Sequence, residues 1–243
     1  MVYSSVIGKS LGNGFPGQFA QQGPKVAISA PNTGNSDIYF GDAVFGFNGG
    51  VAKADAAGVI PSMAAFKGIA LAHVQTANAY EAQSSGGYPT DAPVAVIEEG
   101  AVVVDVSNSA INAPAVDGPV YVRIANGTDA KPIGGLEAAA DATTYSVMVT
   151  TQTSGSANIV VASVANLASG MTISGTGIPA GTCITAVNSA ANTITISAAA
   201  TSSASSGTLT AGGNALQITN ATFGTQADSK GVAMLVLKTR NNS

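Results

Sequence analysis

Few side chains in this 243-residue sequence are of types that do covalent or metal chemistry, and they lie far apart. The one histidine, His73, sits in the strand-like run 68–74, and no G-x-S-x-G elbow supplies a serine for it to activate. A lone strand histidine reads as a partly buried polar residue with a local hydrogen bond. The one cysteine, Cys183, has no charged neighbour in sequence to favour a thiolate, and reads as a small packing residue. One Cys and one His do not make a zinc site, and one Cys excludes an intramolecular disulfide. Glu98 and Glu99 form the only adjacent carboxylate pair. Neighbours on a strand point to opposite faces, so these two are expected to mark an exposed turn ahead of Gly100. A glycosidase would need two carboxylates about 5–9.5 Å apart across a cleft. A distant partner such as Asp42 or Asp105 stays open, but the chain has no Trp to form a sugar platform. No catalytic, cofactor-binding or metal-binding residue is therefore expected, and the chain is not expected to be an enzyme.

Gly12-Asn13-Gly14-Phe15-Pro16-Gly17 has the G-x-G-x-x-G spacing of a dinucleotide fingerprint. That motif works only where a strand feeds a tight turn and a helix N-terminus faces the pyrophosphate. Here Pro16 interrupts it, Gly23-Pro24 follows, and no βαβ pattern is present, so it reads as a glycine-rich arm. The sequons Asn126-Gly127-Thr128 and Asn220-Ala221-Thr222 are so in form only, because the terminus MVYSSVIGKS has neither a charged n-region nor an apolar h-region. More informative are Phe15, Phe19, Tyr39, Phe40, Phe45 and Phe47, nearly half of the chain's 13 Phe and Tyr in its first fifth. Aromatic anchors are the usual energetic centres of interfaces. Phe45 and Phe47 are expected to face the core of their own strand, leaving Phe15, Phe19, Tyr39 and Phe40 as partner-contact candidates.

The elements that must position them are strands. Val120, Val122 and Ile124 alternate with Tyr121 and Arg123, and Val102, Val104 and Val106 alternate around Asp105. Further strands are expected over 25–29, 37–47, 66–74, 94–97, 145–149, 158–164, 182–187, 192–197, 215–219 and 232–238. Turn signals at Asp117-Gly118-Pro119, Asn126-Gly127, Gly134-Gly135 and Gly212-Gly213 separate them. A type I turn is expected from Ile178, with Pro179 second and Gly181 fourth. Residues 76–83 could form a turn or two of helix. Many short strands at short spacing indicate an all-β sandwich or barrel.

Charge divides the chain further. Only 9% of residues are charged, against about a quarter in typical soluble domains. Residues 142–227 carry no Asp, Glu, Lys or Arg, whereas the part before them holds 12 acidic and 6 basic residues. The formal net charge of −4 with dispersed cations lacks the footprint of a nucleic-acid binder. Mean hydropathy is +0.31, yet no apolar run approaches the ~18 residues of a membrane-spanning helix. So little charge suits a surface shared with partner subunits. Residues 1–35, broken throughout by Gly and Pro, read as an extended arm that is either loose or laid along a neighbour. Residues 232–237 are apolar on both faces and belong inside a sheet. They are expected to return to a core of residues 36–150 plus 215–243, with 151–214 as an inserted, uncharged β module.

Residues 170–182 (GMTISGTGIPAGT) and 192–197 resemble the small Ig-like β modules that recur in phage structural proteins and bacterial surface proteins. The remainder resembles a phage capsid decoration protein of the structural-cement type. That second resemblance is carried by the Gly/Pro-rich arm, Phe66-Lys67-Gly68-Ile69-Ala70, residues 93–106 and 118–124, and the closing 231–238. It implies a β-barrel or β-tulip-like core carrying a small β-sandwich-like insertion. It also implies homotrimers on the exterior of a virion head, the major capsid protein as partner, assembly in the host cytoplasm, no cofactor and no catalysis. The other reading is a tail or host-recognition module that contacts cell-surface glycans through the Ser/Thr-rich insertion.

Overall fold

The computed structural model describes residues 13–20, 24–72, 86–106 and 113–239. His73, Gly12 and the turn of helix expected over 76–83 lie outside the described residues. Within them the chain is all-β and contains no helix.

The larger sheet has nine strands built around one long central strand. In chain order they are β1 (Val26–Pro31), β3 (Ala43–Phe47), β4 (Gly50–Ala52), β5 (Phe66–Ala70), β7 (Pro93–Asp105), β8 (Pro119–Arg123), β9 (Leu136–Glu137), β16 (Ala215–Phe223) and β17 (Val232–Leu237). The spatial order is β4-β3-β5-β7-β17-β16-β8-β9, with β1 also paired to β7. Two residues each from β2 (Ile38–Tyr39) and β6 (Gly87–Tyr88) form a separate ribbon.

The thirteen residues of β7 correct the turn expected at Glu98-Glu99. Apolar runs on either side of the two carboxylates find different ladder partners. β1 and β5 pair with the N-terminal half, and β17 pairs with Gly100–Asp105. The strand changes partners at Gly100, whose φ of +123° lies outside the reach of most L side chains. Each end of the sheet then curls back. Asn32 bridges Val51 of β4, and Val106 bridges Leu136 of β9, giving two rolled halves that share β7. Phe45 and Phe66 meet edge to face at 6.0 Å in the core of the first half. Phe45 is fully buried and Phe47 packs partly buried against the same core.

The uncharged stretch folds into its own six-stranded sheet. Its strands are β10 (Thr144–Gln152), β11 (Asn158–Val161), β12 (Thr172–Ser174), β13 (Ile184–Asn188), β14 (Thr193–Ile196) and β15 (Gly207–Gly212), in the order β12-β15-β10-β11-β14-β13. Its two edges meet where Thr172 bridges Cys183 and Ile184 N–H donates to Met171 O at 2.8 Å, so the sheet is one closed roll. The first strand of this sheet therefore starts at Thr144, seven residues before position 151. Alternation sorts its side chains: Val147, Val149, Ile159, Ile173, Ile194 and Leu209 point in. Outside, Ser146 stands opposite Thr210, and Thr210 opposite Ser174. The turn after Ile178 closes one residue later than expected, with Thr182 N–H donating to Pro179 O and Gly181 at φ +76°.

A charged cluster ties the two sheets together. The strand pattern placed Arg123 opposite the core-facing valines, where exposure is the expectation, yet it is 3% exposed. It grips Glu137 bidentately, Nε to Oε1 at 2.7 Å and Nη2 to Oε2 at 3.0 Å, and Nη1 reaches Asp141 at 2.6 Å. Lys131 adds a 3.1 Å contact to Glu137. From the far side Asn214, between β15 and β16, donates to Asp141 and to Tyr145 Oη on β10. Burial alone would push the Asp141 carboxyl up. Hydrogen bonds from Thr143, Arg123 and Asn214 together outweigh it and hold that carboxyl well below its ordinary 3.8. A lowered folded-state value means a contribution present above the ordinary carboxylate range and lost as pH falls through the folded-state value. Asp141→Asn is thus expected to cost about 1–3 kcal/mol at pH 7. The gap to the parent should shrink steadily below about pH 4. Urea denaturation at both pH values checks this.

Candidate partner-contact face

The arm reaches the site by pairing with its own sheet. Gly17 N–H donates to Val103 O at 2.8 Å, Val103 N–H returns a bond to Gln18 O at 2.8 Å, and Phe19 bridges Val102. Ala72 N–H donates to Gly17 O, so Gly17 bridges β7 and the residues that follow β5. Asn13 anchors the start: its N–H donates to Asp228 Oδ2 at 3.0 Å, and its Nδ2 to Val232 O at 2.6 Å. Residues 13–20 and 24–35 of the arm segment therefore lie along their own chain, with β1 as a strand at the edge of the sheet. The fingerprint-like glycines serve this path: Gly14 and Gly17 have φ of +115° and +80°, and a strand-like stretch follows where the dinucleotide motif requires a helix.

The four candidate aromatics separate into two pairs. Phe15 is 76% exposed and Tyr39 48% exposed. Phe19 and Phe40 are half-buried. The Lys25 ammonium sits 3.8 Å from the Phe19 ring centroid, and Phe40 meets Tyr88 edge to face at 5.3 Å. Phe19 and Phe40 thus fasten the arm and the Tyr39–Asp42 turn to the body, while Phe15 and Tyr39 project from it.

Beside Tyr39 lies a cleft of about 170 Å³ whose walls include Pro16, Tyr39, Asp42, Asp105, Pro132 and Leu136. Asp42 accepts from Tyr39 N–H at 2.8 Å and pairs with Lys53 at 3.2 Å, and Lys53 also lies 5.1 Å from the Tyr39 ring centroid. Burial nevertheless pushes the Asp42 carboxyl up, the Lys53 charge opposing it. Burial likewise raises Asp105, with the charge of Asp228 adding to it. Asp228 itself is held low, chiefly by the Val232 N–H and also by those of Asn13 and Lys230. An apolar rim around two carboxylates suits contact with a protein surface. Asp42 and Asp105 do face one cleft, but Glu98 and Glu99 lie within β7. Among the described residues no group of three or more His, Cys, Asp or Glu could hold a metal ion. Cys183 is half-buried, with its own N–H bonded to Ser197 Oγ.

Sequence reasoning did not single out Asp42 and Asp105 as wall residues of one cleft with Tyr39, nor Lys53 beneath it. The Asp three residues after Tyr39, positioned to cap its N–H across a Gly turn, is the one local signal that was available.

Comparison with known proteins adds the following. The family model described as "Structural cement protein (E217 gp24/Pam3 gp6)" matches residues 3–168. That span holds the arm, the cleft, β1 to β9 and the first two strands of the uncharged sheet. Among the curated proteins none matches. A chain of the solved structure titled "The capsid of Myoviridae Phage XM1" aligns at 17% identity over 81% of this chain and 96% of that one, with a TM-score of 0.40.

Proposed function

This chain belongs to the phage structural cement protein family, and on that premise we propose that it binds the outside of a phage head and clamps neighbouring major capsid subunits together. Membership makes it a structural, capsid-stabilising protein of the virion. The finer reading is supported by one observation above the others. The arm and the Tyr39–Asp42 turn hold two aromatic side chains, Phe15 and Tyr39, out of a charge-poor surface that the body could have buried. In this reading Phe15 and Tyr39 contact the shell, and Phe19 and Phe40 position them. The chain acts as a homotrimer, so that several weak contacts combine; linked sites can exceed single-site affinity by about 10²–10⁴. Loading follows head assembly in the host cytoplasm.

The test is to add the purified chain to undecorated, expanded heads of its phage and image them. Ordered density at the symmetry axes, together with greater heat resistance of the heads, is the expected result. Absence of both would remove the proposal.

The hydroxyls of Ser174 and Thr210, opposite one another on the outer face of the uncharged sheet, favour a second role for residues 151–214, contact with host-surface glycans. The intact chain should then bind host cells, and soluble glycan from those cells should compete. No binding would leave this sheet a structural insertion.

A further inference from the structure

β1 is an edge strand whose protection is confined to its ends, a bulge at Val26/Ala27 and a proline at Pro31, leaving Ala27–Ala30 unguarded between them. Sheet edges are normally blunted by charge, bulges, coverage or short length. β1 has six residues, VAISAP, no charge and a half-exposed alternating pattern. Its bonding direction follows from β7. Leu71 N–H donates to Ala95 O at 2.7 Å, so Ala95 faces β5, and by antiparallel alternation Val94 and Val96 face β1. Their partners Ala30 and Ile28 are therefore the residues bonded inward. The N–H and C=O of Ala27 and Ser29 point outward, and among the described residues no backbone group bonds to them.

Coverage stops where it is needed. β4 meets β1 at its C-terminal end, where Gly50 packs on Pro31, Asn32 bridges Val51 and Thr33 N–H donates to Val51 O at 2.9 Å. Gly50 permits that closure, since a Cβ there would collide with the Pro31 carbonyl oxygen. Towards Val26 the seam opens into a groove of about 420 Å³ lined by Ile28, Ala30, Phe47, Val51 and Lys67. Lys67 supplies its charge and has no ion pair among the described residues.

We propose that β1 accepts an extended segment of a neighbouring shell subunit as an added strand. That segment is apolar at alternate positions and carries a carboxylate that seats on Lys67. Backbone bonds to Ala27 and Ser29 supply attachment, and the groove beside Ile28 and Phe47 selects the side chains. The occupant follows from charge complementarity: a strand edge open among the described residues, an apolar groove, and in that groove one cation, Lys67, without an ion pair among them. The inference rests on the shell-binding role proposed above.

Ser29→Pro tests it, because proline removes the outward N–H alone and is tolerated on an edge strand. The variant is expected to keep its urea midpoint and to lose at least about tenfold in co-sedimentation with undecorated heads; Lys67→Glu should lose affinity as well. Imaging of heads decorated with the parent chain should reveal a strand beside β1 that traces to a shell subunit. If both variants bind like the parent, or no such strand is present, the inference is overturned while shell binding stands. A strand tracing to a second copy of this chain overturns the assigned occupant. If Ser29→Pro fails to fold, Lys67→Glu and the image decide. If the parent itself does not bind heads, both this inference and the shell-binding role fall.

Discussion

Replacing Arg123 by leucine is expected to destabilise the chain by about 3–5 kcal/mol, because it strands an ionised partner in the interior. Glu137 is fully buried, and Arg123 supplies both of its shortest contacts. Lys131 still faces Glu137 at 3.1 Å, which places the loss toward the lower end of that range. The same substitution removes the Arg123 bond to Asp141, leaving that carboxylate to Asn214 and Thr143. The double variant Arg123→Leu/Glu137→Leu should recover most of the loss, since a packed apolar pair often equals a buried ion pair. Equilibrium denaturation of parent, single and double variants measures both effects. A single variant within 1 kcal/mol of the parent would show that the cluster contributes little.

The second large effect is on assembly. Phe15→Ala and Tyr39→Ala each remove an exposed aromatic anchor, and an anchor of that kind contributes at least about 2 kcal/mol, or roughly thirtyfold in affinity. Made together they should weaken binding to undecorated heads by roughly 30- to 1000-fold, allowing for the non-additivity of such sites. Exposures of 76% and 48% leave little packing to lose, so the denaturation midpoint should hardly move. Phe40→Ala provides the contrast: its ring packs on Tyr88, so it should lower the midpoint as well as the affinity. Retention of affinity within threefold by the double variant would move the contact face elsewhere on the molecule.

These two experiments probe features of different legibility. The aromatic cluster could be read directly from the sequence, because Phe and Tyr stand out in a Gly/Pro-rich segment. Which of the four project could not be read. Phe19 and Phe40 are held by Lys25 and Tyr88, residues brought to them by β1 and β6. The burial of Arg123 was not legible for the same kind of reason. Strand alternation put it opposite Val120 and Val122, but there Glu137 on the paired β9 and Asp141 enclose it, and Asp141 is held in turn by Asn214, 91 positions from Arg123 in the chain.

Period-two alternation, turn residues and the absence of charge over 142–227 are local properties, and by themselves they determined the all-β class, most strands and a separate uncharged sheet. Ladder partners are not local. Glu98-Glu99-Gly100 became the middle of β7 because β1, β5, β17 and the arm were there to satisfy both of its edges. The same long-range pairing buried Arg123, closed the roll at Thr172–Cys183 and, among the described residues, left the outer side of β1 without a ladder partner. Backbone hydrogen bonds must be satisfied somewhere, but only the tertiary structure decides by which strand.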